Sequence, residues 1–523
     1  MKRLFALFLA LGLISISCSI LQPTAIPTQP PSPSKPAATP SETSTPDATP
    51  APTSDDLFDI PWEDRSPFQA GLVPSAQPVL DELAGASVYH LEFNIANDLY
   101  HITGSEAVRY TNAEAIALDE VQFRLFPNIV SGEMTISNLT ADEQPVTPEY
   151  DLGGSLMIVP LPEPLEPDQS AVLQMDFAVT VPQSVEQNYG VLAYFDDVLA
   201  LAHAYPMIAV YDDEGWNAEI PPPSGDMTYA DASFYLVKVT APQGVTLVTS
   251  GHKLSSDEAG QTQTLSVASG PARDFYLAAS PNYEELSQTF GEVTIRSYAP
   301  KDLKKGAQMA LEVAGRSIEI FSTRYAPFPY TEFDIVSTPT LALGIEYPGM
   351  IAITARIYEV DQDYRGTGTP AGVYMESTVA HETGHQWFYN LVGDDQLDDP
   401  WLDESLTQFI TLQYYADEHG SGGEQGFRDS LKGRWESVGR ADIPVGLPVA
   451  EYSGQEYSAI VYGRGALFFV DLKEEMGTEV FDAFIRDYTG TLSWGIATPE
   501  FLQSLAEEHC SCDLDPIFNE WVY

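Results

Sequence analysis

The sequence predicts an α+β multidomain chain, with an antiparallel β-sandwich half followed by a mainly helical half. Two periodicities carry this prediction. In the first half, apolar residues alternate with polar ones at Tyr89, Leu91, Phe93 and Ile95, at Val121, Phe123 and Leu125, at Leu173, Met175, Phe177 and Val179, and at Tyr235, Val237 and Val239. A period of two marks strands with one buried face. Asn97-Asp98, Gly104, Gly153-Gly154 and Gly244 punctuate these runs as turns. Past Pro300 the period lengthens. Ala307, Leu311, Ala314, Ile318, Phe321 and Tyr325 recur at steps of three and four, so residues 303–325 read as an amphipathic helix. Phe333-Asp-Ile-Val336 reads as a strand, and helical patterns dominate from Gly372 onwards.

The start of the chain has a different character. Lys2-Arg3 precede a mostly apolar run from Leu4 to Ile16, which fits an export signal over residues 1–17. Ser15-Ile16-Ser17-Cys18 fits a lipoprotein cleavage box with Ser15 in place of the more usual Leu, so Cys18 is expected to be lipidated. Residues 18–56 are rich in Pro, Thr, Ser and Ala and cannot bury a core, so a disordered tether is expected. Residues 57–297 are assigned to the β domain and 298–523 to the helical domain. The expected location is extracytoplasmic, on a bacterial membrane through the lipid, with plain secretion as the alternative.

Charge excludes one class of partner. The 24 Lys and Arg against 76 Asp and Glu leave a net −52, which repels nucleic acid. Of the three cysteines, Cys510 and Cys512 beside His509 allow either a disulfide or a metal contact, and a structural role is expected.

The helical half carries the chemistry. His381 and His385 stand four apart and share one face of a helix. Two neutral imidazoles at that spacing can grip one zinc ion from one side. Glu382 is rotated about 100° from the first His, so it stays off the metal yet reaches water there as a general base. A catalytic zinc takes a third protein ligand. Eighteen residues separate His385 from Glu404, enough to end one helix at Asn390 or Gly393 and begin another near Pro400. Glu404 then closes a His2Glu set. The acidic run Asp394, Asp395, Asp398, Asp399 and Asp403 in this loop is expected to be a solvated surface.

The runs His381-Glu-Thr-Gly-His385-Gln-Trp-Phe-Tyr-Asn390-Leu-Val and Trp401-Leu-Asp-Glu404 resemble the aminopeptidase N and leukotriene hydrolase family of zinc metallopeptidases. That family carries H-E-x-x-H, eighteen residues, then Glu. Asp403 and Ser405 stand where Asn and Gly are usual. The resemblance extends over residues 85–523 and is specific in the catalytic half. It implies a saddle-like β domain ahead of a thermolysin-like domain, one zinc ion, and removal of N-terminal residues from peptides. It also implies three further site residues. Tyr462, in Tyr462-Gly-Arg464-Gly465, matches the tyrosine that donates to the oxyanion, with Arg464 where Lys is usual. Glu346, in Leu343-Gly344-Ile-Glu346-Tyr347, matches the glutamate that holds a free α-amine, and the backbone around Gly344 matches the strand that pairs with the peptide. Tyr457 is expected to pack. A second amine anchor from the β domain is not found between His203 and Trp216. Two alternatives stay open: an endopeptidase or other hydrolase of the same family, and a non-catalytic surface lipoprotein that binds a partner.

Overall fold

The computed structural model of the chain describes residues 57–523 apart from Gln187 and Ser224. The signal, Cys18 and the tether lie outside the described residues. These described residues form one unit.

An eight-stranded sheet organises the first half. Its order is His252–Ala259, Thr262–Ala272, Ser233–Pro242, Val88–Ile95, His101–Thr111, Ser170–Thr180, Glu133–Ala141 and Gln144–Pro145. Two four-stranded sheets accompany it. Tyr89, Leu91 and Phe93 from the large sheet share a core with Phe123, Leu199 and Leu277 from the smaller ones. The alternating residues are therefore inward-facing, as their period requires.

One expectation needs correcting here: the sheet is mixed, not purely antiparallel. Val88–Ile95 runs parallel to Ser233–Pro242. Parallel neighbours need a long crossover, and the segment between these strands supplies further strands of this sheet and strands of the smaller ones. Strand periodicity is the same in either pairing.

A five-stranded sheet links the halves in the order Tyr283–Phe290, Val293–Pro300, Glu332–Thr338, Met350–Thr354, Gly344–Tyr347. Val293–Pro300 and Glu332–Thr338 are parallel, and the helix Lys304–Arg324 is their crossover. Its buried stripe includes Ala307, Leu311, Ala314, Ile318 and Phe321. The boundary drawn at 297/298 therefore cuts through a sheet. Change of period locates the first helix, whereas sheet membership depends on partners downstream. The last strand in this order, Gly344–Tyr347, pairs on one side only, with Met350–Thr354.

Helices follow: Ala371–Gly384, Glu404–Glu436, Ala466–Met476, Thr478–Thr491, Pro499–Cys510 and Asp515–Trp521. The helix Glu404–Glu436 is broken at Gly420 (φ 65°, ψ −161°). Tyr415 stacks on Phe427 at 4.8 Å, although twelve residues of straight helix would hold them roughly 18 Å apart. The chain thus doubles back on itself at Gly420. Among the described residues no helix is long and apolar enough to cross a membrane. Cys510 and Cys512 form a disulfide.

Candidate metal centre and peptide site

His381 lies in the last turn of the helix Ala371–Gly384, and His385 caps it with near-helical backbone (φ −62°, ψ −11°). The two rings therefore keep one face although the helix ends earlier than Asn390 or Gly393. Tertiary contact explains the early end. Tyr389 takes φ 129°, incompatible with a helix. Its hydroxyl donates to Asp274 Oδ2 of the β half at 2.6 Å. Arg273, 1% exposed, donates from the same segment to the carbonyls of Asn390 and Gly495 at 3.1 and 2.6 Å.

Glu404 opens the next helix, and Asp403 caps it by accepting the Glu404 N–H at 2.5 Å. His381 Nε2 lies 3.0 Å from Glu404 Oε2, His385 Nε2 lies 3.4 Å from the same oxygen, and the two Nε2 atoms are 3.2 Å apart. His385 Nδ1 is 2.9 Å from the Phe388 carbonyl, which can only accept. The proton of the neutral ring therefore sits on Nδ1, and Nε2 turns a bare lone pair toward the set. Three converging ligand atoms, all within 4.8 Å of one another and buried, fit a zinc ion. The predicted ligands His381, His385 and Glu404 are thus brought together.

Glu382 is 5% exposed and faces the strand Gly344–Tyr347. A Cβ on Gly344 would meet the Glu382 carboxyl at 2.5 Å, so this residue must be glycine for the base to keep its place. Burial pushes the Glu382 carboxyl well up from its ordinary range, and the charge of Glu346 adds to this. Glu346, 6% exposed, offers an oxygen within 4.8 Å of ligand atoms of Glu382 and His385.

Two glutamines hold this arrangement. Gln386 accepts the Gly349 N–H at 2.9 Å and donates to the Tyr347 carbonyl at 2.9 Å, which pins the hairpin tip to the motif. Gln396 donates to Glu346 Oε1 at 3.0 Å and to Asp403 Oδ2 at 2.9 Å.

Tyr462 sits on a π-helical turn, Ile460–Gly465, and donates to Glu404 Oε1. Its ring lies 5.9 Å from that of His381. Ser405 fixes the turn by donating to the Val461 carbonyl at 2.6 Å. A Cβ at Gly465 would meet Ser405 Oγ at 2.0 Å. Burial raises the Tyr462 phenol well above 10, so it stays a donor at neutral pH. Arg464 turns away, donating to the Glu520 carbonyl at 2.7 Å and to Asp442 at 3.0 Å. Tyr457 is 4% exposed and packs edge-on to Tyr462 at 5.6 Å, as expected of a packing residue.

Two points differ from the sequence reading. The acidic run is only in part a solvated surface: Asp398 is exposed and Asp395 and Asp399 are half-buried, but Asp394 and Asp403 are 5% and 1% exposed. Asp403 is needed inside as a helix cap, a role its linear context does not reveal. The second point is Asp226, from the β half, whose carboxyl is pushed well up from its ordinary range by desolvation and by the charges of Glu346 and Glu404. It stands in the Pro- and Gly-rich loop Pro221-Pro-Pro-Ser-Gly225, where no periodic signal marks a site.

Comparison with known proteins agrees with this geometry. Residues 309–521 match the Peptidase family M1 domain. The chain is 24% identical over 311 residues to Aminopeptidase 2 of Candida albicans, covering 57% of this chain and 33% of that protein. It is 26% identical over 249 residues to Tricorn protease-interacting factor F2 of Thermoplasma volcanium, covering 46% of this chain and 31% of that protein. The chain thus spans about a third of the length of the curated relatives it matches. The fold is shared with an M1 zinc metallopeptidase from Deinococcus radiodurans, at a TM-score of 0.60 and 18% identity over 83% of this chain and 93% of that one. By its sequence match over residues 309–521 and by its fold, the chain is similar to the M1, aminopeptidase N-like, zinc metallopeptidases.

Proposed function

We propose that the protein is a zinc-dependent aminopeptidase that removes N-terminal residues from peptides. One observation carries the exopeptidase reading. A buried carboxylate, Glu346, stands on a free strand edge within ligand distance of the base Glu382. An extended peptide can add to that edge through its backbone. Glu346, with Asp226 beside it, then meets the peptide where its free α-ammonium lies. Glu346 is buried and Asp226 partly buried, and two carboxylates whose charges act on one another favour a cation between them.

His381, His385 and Glu404 would hold the zinc, which when bound supplies a Lewis acid that polarises the scissile carbonyl and eases deprotonation of water. Glu382 takes the proton of the attacking water at its carboxylate and returns it to the leaving amine. Tyr462 swings its O–H from Glu404 to the oxygen on which negative charge develops. Gln386 keeps the strand, and so the scissile bond, in register with the base. We read a single ion. Of the two other groups of metal-capable atoms among the described residues, Glu346, Glu382 and His385 share His385 with the first and include the base, and Glu507, Asp513 and Asp515 are half-buried to exposed carboxylates with no histidine.

The test compares free and N-acetylated peptides on wild-type protein and Glu346→Ala. The wild type should cleave the free peptides far better, and Glu346→Ala should lose that preference. Equal cleavage of both by the wild type would instead favour an endopeptidase.

Localisation is proposed from the N-terminal segment alone: Lys2-Arg3, the apolar run and the box ending at Cys18 support a lipid-anchored, extracytoplasmic protein. Cys18→Ala should abolish incorporation of labelled fatty acid and shift the protein from the membrane to the soluble fraction. Unchanged partitioning would remove the anchor.

A further inference from the structure

We propose that Gln396 is a positioning residue: its amide locks the Glu346 carboxylate to Asp403, and that lock sets a preference for α-amino over β-amino N-terminal residues. The inference rests on the aminopeptidase reading and narrows its substrate class.

Gln396 is 2% exposed and stands in the loop between the helices Ala371–Gly384 and Glu404–Glu436. The loop is pinned on both sides of it. Gly393 donates its N–H to the Gly495 carbonyl at 3.0 Å, and the Leu397 carbonyl accepts the Val449 N–H at 2.8 Å. From this fixed backbone, Gln396 Nε2 donates to Glu346 Oε1 at 3.0 Å and to Asp403 Oδ2 at 2.9 Å. An amide nitrogen carries two hydrogens, and both are used. The reversed amide would turn its oxygen toward two carboxylates, so the network itself dictates the donor orientation. Among the described residues no other side chain donates to the Glu346 carboxylate. One oxygen of Glu346 is thereby held, and the other is left for an ammonium.

Asp403 is committed as well. Its Oδ1 accepts the Glu404 N–H at 2.5 Å and so caps the helix that Glu404 opens. The two carboxylate oxygens that share Nε2 stand within about 6 Å of each other. A neutral amide between them satisfies both and adds no charge. Asp403, where Asn is usual, thus finds its second donor in Gln396, and the amine anchor is tied to the start of the helix that carries a metal ligand.

The tie bears on substrate choice because the anchor is close to the chemistry. Glu346 has an oxygen within 4.8 Å of ligand atoms of Glu382 and His385. The span from substrate ammonium to scissile carbonyl must therefore be short. One carbon separates an α-amine from its carbonyl, and two separate a β-amine. The added C–C bond is about 1.5 Å long, and a misplacement of about 1 Å can cost on the order of 10²-fold in rate. A carboxylate held by Gln396 cannot follow the displaced ammonium, whereas a released one can.

The experiment uses the zinc-loaded protein with Ala-Ala-Ala, β-Ala-Ala-Ala and N-acetyl-Ala-Ala-Ala. Gln396→Met keeps the length of the side chain and loses its donors, and Gln396→His keeps one N–H at similar reach. Glu346→Ala, alone and combined with Gln396→Met, completes a double-mutant cycle. The wild type should favour the α-peptide over the β-peptide. In Gln396→Met, KM for Ala-Ala-Ala should rise roughly ten- to a hundredfold, as for a lost hydrogen bond to a charged group, with kcat changed less. The α-to-β ratio should fall toward that of Glu346→Ala, and Gln396→His should hold an intermediate ratio. In the Glu346→Ala background, Gln396→Met should change KM no further. Zinc analysis and a thermal melt accompany each variant, and if Gln396→Met does not fold or load, Gln396→His decides by the same ratio. A wild type without the α-peptide preference, a ratio that stays at the wild-type value in the variants, or a loss of equal size with and without Glu346 overturns the proposal, because a residue that only supports the fold lowers every rate alike. The aminopeptidase reading is judged separately. A wild type that prefers free over acetylated peptides, with the α-to-β ratio unchanged in the variants, removes the role of Gln396 alone; no preference for free ends in the wild type removes both.

Discussion

Gly344→Ala puts one methyl group against the catalytic base. The added Cβ would stand 2.5 Å from both Cγ and Oε1 of Glu382 and 2.6 Å from its Cδ. Ordinary contact begins at about 3.4 Å, so one partner has to give by roughly 1 Å, a misplacement that can cost on the order of 10²-fold in rate. The strand is poorly placed to yield. Gly344 pairs with Ile353, and Gln386 holds the hairpin tip at Tyr347 and Gly349. Glu382 yields instead, and it has little room beside Glu346 and His385. We expect kcat on a free tripeptide to fall by about 10²-fold, with KM changed far less, because the strand edge and Glu346 stay where they are. Zinc content should remain at the wild-type level, since no ligand is touched. The assay is steady-state kinetics together with metal analysis and a thermal melt on the same preparation. A kcat within a few-fold of wild type, on folded and zinc-loaded protein, would refute the argument that Gly344 makes space for the base.

Three further outcomes follow from named contacts. Glu382→Gln should keep its zinc and lose turnover, because an amide cannot accept the proton of water, whereas Glu404→Ala should lose zinc as well; equal metal content in the two variants would move the third ligand elsewhere. Tyr462→Phe should lower kcat by roughly 10²–10³-fold with a smaller change in KM, the usual result of losing an oxyanion donor, and an unchanged kcat would vacate that role. Burial pushes the Asp334 carboxyl up to about 7 despite Arg296 at 3.5 Å, so the native state binds its proton more tightly than the unfolded chain does. Its contribution is present below the unfolded value, near 4, and is lost as pH rises through about 7. Denaturant midpoints from pH 5 to pH 8 should therefore fall more steeply for the wild type than for Asp334→Asn, and parallel curves would show that this carboxyl does not titrate there.

Local interactions account for what was legible in the sequence. Four residues separate His381 from His385, and one near-helical turn is enough to bring their rings together. That held even though the helix stops at Gly384, because His385 keeps near-helical angles as its cap. Alternation in Tyr89, Leu91 and Phe93 and the stripe from Ala307 to Phe321 located strands and a helix for the same reason: side-chain direction follows backbone period. Glu404 could be placed because a loop of eighteen residues has few ways to return to a helix face.

Only the tertiary structure decided the remainder, and in each case the deciding partner is distant in sequence. Val88–Ile95 looks the same whether its neighbour is parallel or not; its pairing with Ser233–Pro242 depends on the segment laid down between them. Asp394 and Asp403 read as solvated charges until the loop that carries them folds under the ligand helix. Asp226 acts electrostatically with Glu404, 178 positions further along the chain, from a loop without periodicity. Spacing along the chain specifies geometry over a turn or two, where the backbone transmits it directly. Beyond that distance, what a charged side chain meets is set by packing between elements, and packing brings Glu346 and Asp226 to bear on the same ligand set.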